Sequence, residues 1–240
     1  RLMQSVQAVI SEGKVAGEWA RHLVWLNDVL SEVWVERGPF PGLGGVLQYL
    51  GMQRGTAFHK TALVPRLKKG ENACEYVQAV LAGKKEPAET EYRRALLAAG
   101  ERWRALPKSR RALLELLTRF ELSPDQIQRV ASPDERVQSG IQATDDEIMA
   151  NPYLLCDQDQ GGAESEPIAL ETIDRGMRPE GDAARFVPKD EVVMQDDSRR
   201  VRAVASAVLS EAAEAGDTLL LFRFLAEEPL DRRALSFFLR

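Results

Sequence analysis

Val201, Val204, Ala205, Val208, Leu209 and Ala212 stand at i, i+3, i+4, i+7, i+8 and i+11. That spacing winds into one apolar stripe on a helix and scatters over both faces of a strand. Asp196-Asp197-Ser198 precede the stripe as capping residues and Gly216 stands beyond it as a stop. The same period recurs in Ala112, Leu113, Leu116, Leu117 and Phe120, and over 19–35 in Leu23, Leu26, Leu30, Val33 and Trp34. Shorter helices are expected at 43–50, 73–82, 89–99, 123–131 and 144–150. Ser123-Pro124 marks one start, and Thr144 with Glu147 forms a capping box at another. Strand candidates are confined to 185–187 and 191–194, parted by Pro188. The fold class is all-α, a multi-helix domain with helix-hairpin-helix-like elements and at most one short β-hairpin.

Charge is distributed unevenly. Residues 1–120 carry 19 Lys+Arg against 12 Asp+Glu, 121–198 carry 6 against 19, and 199–240 carry 7 against 6, for a net of −5. A polyanion is attracted to the first and last segments and repelled by the middle one. The alternative for the middle is a solvated acidic loop region. Breaks fall at 83–87, at the acidic 156–166 stretch, which reads as an exposed loop with nothing to bury, and at 175–190. No apolar run is long enough to span a membrane. Cys74 and Cys156 are too few for a disulfide framework, so a reducing cytoplasm is the expected compartment. The chain opens on Arg1 and stops in the apolar pattern Leu235 to Arg240, as expected of a piece of a longer protein.

Several chemistries lack their residues. Gly13-Lys14 and Gly83-Lys84 have neither the upstream glycine nor the following hydroxyl of a phosphate-binding loop. His22, His59, Cys74 and Cys156 show no paired metal-ligand spacing. No histidine is coupled in sequence to a serine or cysteine nucleophile. Asp145-Asp146 sit at a helix start, where the macrodipole accounts for them. The expectation is no enzyme, cofactor or metal within these residues; a hydrolase without a recognisable motif is the remote alternative.

Three features suit an anion. The stretch from Arg93 to Arg119 holds Arg93, Arg94, Arg102, Arg104, Lys108, Arg110, Arg111 and Arg119 around Trp103; guanidinium forks match phosphate oxygens. The alternative is a solvated helix face paired with Glu101 and Glu115. Pro41-Gly42-Leu43-Gly44 has the layout of a helix-hairpin-helix turn, in which Gly42 and Gly44 let backbone N–H groups approach a phosphate. It also suits an ordinary tight connection between packed helices. Arg199, Arg200 and Arg202 crowd the helix start at Ser198, where a bound anion, or Asp196 and Asp197, relieves the conflict with the macrodipole.

Residues 113–155 include Phe120-Glu121-Leu122-Ser123 and, further on, Asn151-Pro152-Tyr153-Leu154-Leu155. This resembles the helix-hairpin-helix region ahead of the motor in RecD-like DNA helicases, the exonuclease V alpha-subunit type. In that family a Phe-Gly-(Ile/Leu)-Ser helix end leads to a second helix and then to Asn-Pro-Tyr-x-Leu. More weakly, Thr172 to Gly176 sits where the family has an Ala-Asp-x-Ile-Ala helix. Residues 199–220 resemble its Arg-containing helix and Gly-His-Thr-x-Leu end, with Asp217 replacing His. Glu121 replaces a hairpin glycine, Ser132-Pro133 replace Tyr-Gly, and the acidic 156–166 segment replaces a Gly-containing hairpin.

The resemblance covers about the second half of the chain. Two helical subdomains are expected, 1–105 with the Pro-Gly-Leu-Gly hairpin and 106–240 with the RecD-like region. The resemblance implies a non-catalytic accessory region of an ATP-dependent helicase in DNA repair, recombination or defence. Its partners would be DNA, bound weakly and without sequence preference, and an ATPase motor elsewhere in the same protein. The alternative is a structural or protein-interaction helical domain with no DNA binding of its own.

Overall fold

The computed structural model describes residues 39–162, 165–179 and 181–214, with Arg21, His22, 24–26 and 29 from nearer the start. The chain divides into two compact units, 1–38 and 39–240. In the first, the six described residues are helical; the rest of the expected 19–35 helix lies outside the described residues.

The second unit is a succession of short helices. They are α1 (Leu43–Tyr49), α2 (Gly55–Phe58), a π-helical turn (His59–Leu63), α3 (Val64–Lys68), α4 (Ala73–Leu81), α5 (Arg93–Ala105) and α6 (Lys108–Leu117). Then come α7 (Pro124–Ala131), α8 (Pro133–Gln138), α9 (Asp145–Ala150), α10 (Leu154–Gln158), α11 (Leu170–Met177) and α12 (Ser198–Glu214). Helix makes up 65% of the fold and no described residue is in a strand, against about 30–35% helix in an ordinary globular domain.

Local chemistry sets the boundaries. The Asn72 side chain accepts from the backbone N–H groups of Cys74 and Glu75 and starts α4. Full capping boxes, Ser123 with Gln126 and Thr144 with Glu147, start α7 and α9. Helix α5 begins later than the apolar spacing suggests, because 90–92 form a turn in which Tyr92 N–H donates to Glu89 O. It runs on to Ala105 and stops where Leu106, forced extended by Pro107, has ψ 149°.

The one short hairpin for which the sequence left room, at 185–194, does not form. Its residues make 3₁₀ turns at Gly181–Phe186 and Lys189–Glu191. Pro188 removes a donor at the centre of the pair. Val187 and Val193 instead point into the core, and Val193 N–H donates to Met177 O at the end of α11.

The helical stretch 55–68 was hidden by its own irregularity. Pro65 has no N–H to continue an α ladder, and the turn before it widens to the π register. Thr61 Oγ1 also donates back to Ala57 O at 2.9 Å, an interaction that bends helices.

One apolar core runs from Phe40 to Ala203 and includes Leu47, Phe58, Leu113, Leu117, Phe120, Ile127, Tyr153, Leu155 and Ile173. Helix α1 lies at its centre, packed on α2, α6 and α7. Its glycines permit the approach. A Cβ on Gly44 would stand 2.9 Å from Thr56 Cα, and one on Gly45 2.5 Å from Ile127 Cδ1. Among the described residues no helix is long and apolar enough to cross a membrane.

Candidate nucleic-acid interface

The Pro-Gly-Leu-Gly turn faces inward. Gly42 N–H donates to Thr118 O at 3.0 Å, and Leu43 N–H to Phe40 O at 3.2 Å. A Cβ on Gly42 would lie 2.3 Å from Leu117 O and 2.5 Å from Phe120 O. Gly42 and Gly44 are buried. Their smallness is used to seat α1 against the end of α6 and against α2.

Most of the predicted arginines are engaged within the fold. Arg110 Nε donates to Asp145 Oδ2 at 2.7 Å, and Arg136 Nη2 stands 2.7 Å from the other oxygen of the same carboxylate. Burial alone would raise the Asp145 pKa, but the hydrogen bond from Arg110 and the Arg136 guanidinium beside it outweigh that and hold the carboxyl below the usual range. Arg119 pairs with Glu191. Arg200 grips Asp174 with Nε at 2.8 Å and Nη2 at 3.1 Å. These three pairs join the basic segments to the acidic middle, so the charge asymmetry of the sequence is partly cancelled inside the molecule.

The start of α12 settles its own electrostatics. Arg199 chelates Asp197 through Nε and Nη2 and caps α9 by donating from Nη1 to Ala150 O at 2.7 Å. Those hydrogen bonds hold the Asp197 carboxyl below the ordinary range. Arg104, although exposed, donates from Nη1 to Leu81 O at 2.9 Å and so caps the C-terminus of α4.

The remaining members face solvent. Arg94, Arg102, Lys108 and Arg202 are exposed and Arg111 is partly buried. The Arg102 guanidinium lies over Gly51, where a Cβ would fall 1.8 Å from Nη1. Gly51 has φ +90°, a conformation that favours glycine on its own account. Arg94, Ala98, Glu101 and Arg102 share one side of α5, with Leu97 43% exposed among them.

Two polar centres, one buried and one half-buried, had no periodic signal in the sequence. Arg129 binds Asp159 with Nε at 2.9 Å and Nη2 at 2.7 Å, and its Nη1 donates to Ser165. Asp159 also accepts from Ile168 N–H at 2.8 Å, so a carboxylate with a fully buried side chain folds the acidic 156–166 stretch back on α7. The second centre is Asp174, which takes the Tyr153 hydroxyl at 2.7 Å together with Arg200. Burial, then Asp174, push the Tyr153 pKa up.

The thiols are poor nucleophiles and ligands at neutral pH. Burial pushes Cys74 up to about 11 and Cys156 up to about 12. Among the described residues no three His, Cys, Asp or Glu side chains are grouped as a metal ion requires. Comparison with family models, curated proteins and solved structures gives no match for this chain.

Proposed function

We propose that this chain is a non-catalytic helical accessory region of a RecD-like ATP-dependent DNA helicase, a scaffold for a motor elsewhere in the protein. One observation carries the reading. Residues of the separate blocks that resemble that family converge: Tyr153 bonds to Asp174, Asp174 binds Arg200, and Phe120 packs on Gly176, where a Cβ would meet its ring at 2.3 Å. Blocks far apart in sequence thus contribute to one packed centre, as a shared architecture requires.

DNA binding on this reading is non-specific and rests on the exposed cations Arg94, Arg102, Lys108 and Arg202 rather than on glycine hairpins. Titration of labelled single- and double-stranded DNA over a salt series tests it. Weak binding that weakens as salt rises is expected; no binding at low salt defeats the DNA part. Sequencing the gene beyond this chain tests the rest, with a phosphate-binding loop expected downstream.

The second reading, a structural or interaction domain without DNA binding, is favoured by a different observation. Arg110, Arg119, Arg199 and Arg200 all serve intramolecular carboxylates.

A further inference from the structure

His59 occupies the first position of the π turn and is 7% exposed. Its Nε2 is buried with no hydrogen-bond partner. Burial, then the neighbouring Lys60, lower its pKa and outweigh a hydrogen bond with the Phe40 backbone that favours the protonated ring. Phe40 leads into the Gly42–Leu43 turn and packs edge-on against Phe186. The imidazole therefore lies where the irregular 55–68 helix meets the entry to α1.

Among the described residues, no group on the neighbouring elements accepts from the ring's Nε2. Lys60 adjoins the ring, α3 contributes Arg66 and Lys68, and α1 contributes Tyr49. Tyr92 packs on Phe58 and touches Thr61. The carboxylates of the neighbouring segments are already bonded, Glu71 and Glu89 to Arg66 and Glu91 to Arg54.

We propose that His59 is an acid-sensitive latch, whose protonation releases the 55–68 helix from the Phe40–Gly44 turn. A buried cation with one N–H left unpaired is relieved most readily by opening to water. The π register and Pro65 place the weakest stretch of helical ladder beside the ring, so the opening is local. A group with a lowered folded pKa favours the closed state above its ordinary value of 6.5 and loses that preference as pH falls below it.

Hydrogen–deuterium exchange on the full chain, corrected for intrinsic rates, reads the latch. Peptides covering 39–68 should exchange faster by about tenfold per pH unit below about 6.5, and His59→Gln should abolish that rise. No rise in the natural chain, or an equal rise in His59→Gln, overturns the proposal. If His59→Gln does not fold, histidine-labelled NMR decides, since the chain has 2 His. The protonated His59 signal should appear together with the faster exchange. Its appearance while 39–68 stays protected overturns the latch.

Discussion

The Tyr153 hydroxyl donates to Asp174 Oδ1 across 21 residues of sequence, at 2.7 Å, and the same oxygen accepts Arg200 Nε at 2.8 Å. A fully buried aromatic ring is thereby fixed by a carboxylate that an arginine also binds. Tyr153→Phe keeps the ring and removes one hydrogen bond to a charged group, which costs about 1.5–3 kcal/mol. Asp174→Ala should cost more, because it strands both the hydroxyl and the guanidinium. Chemical denaturation of both variants and the double variant should give a coupling energy of at least about 0.5 kcal/mol; strict additivity contradicts the network.

Gly42 is expected to be intolerant for reasons of packing. Gly42→Ala drives a methyl into the carbonyls of Leu117 and Phe120, and overpacking of this kind costs about 1–3 kcal/mol. Gly70→Ala meets open space, and only its φ of +80° opposes it, with a penalty of about 1 kcal/mol. Urea midpoints of the two variants should fall in that order.

The exposed and the engaged cations should separate in a binding assay. Replacing Arg94, Arg102 and Lys108 with Ala should flatten the salt dependence of DNA affinity, the logarithmic slope falling by about one for each phosphate left without its cation. The melting temperature of that triple variant should stay near that of the natural chain. Arg110→Ala and Arg119→Ala should lower the melting temperature instead. An unchanged slope in the triple variant removes α5 and the start of α6 from the interface.

Acid should weaken the fold through Asp145 and Asp197. Both carboxyls lie below their ordinary value of 3.8 in the folded chain, so their stabilisation is present above that pH and is lost as pH falls below it. Asp145→Asn should be less stable at pH 7 and show a flatter loss of stability between pH about 4 and 2. A parallel acid profile would falsify the assignment of that loss to Asp145.

Regular helices were legible because period and caps agree. Helices α1, α4, α6, α7, α9 and α12 lie at the expected sites, and the capping boxes at Ser123 and Thr144 form as their spacing predicts. Elements that depend on tertiary packing were not legible. The π turn is a response to Pro65, α8 and α10 are single turns or little more, and the Val187–Val193 stretch is decided by Pro188 and the core. The site was harder to read, because sequence names a cation but not its partner. Arg110 and Lys108 look alike in the basic stretch. One meets Asp145, 35 positions away, and the other faces solvent.

The pairing of basic and acidic segments has a bearing on any shortened version of this protein. A piece ending near residue 120 would keep 19 Lys+Arg against 12 Asp+Glu and would be without Asp145 and Glu191, which occupy Arg110 and Arg119. Released arginines attract phosphate whether or not the intact protein ever offers them. A minimal fragment that retains DNA strongly would therefore report a property made by the truncation.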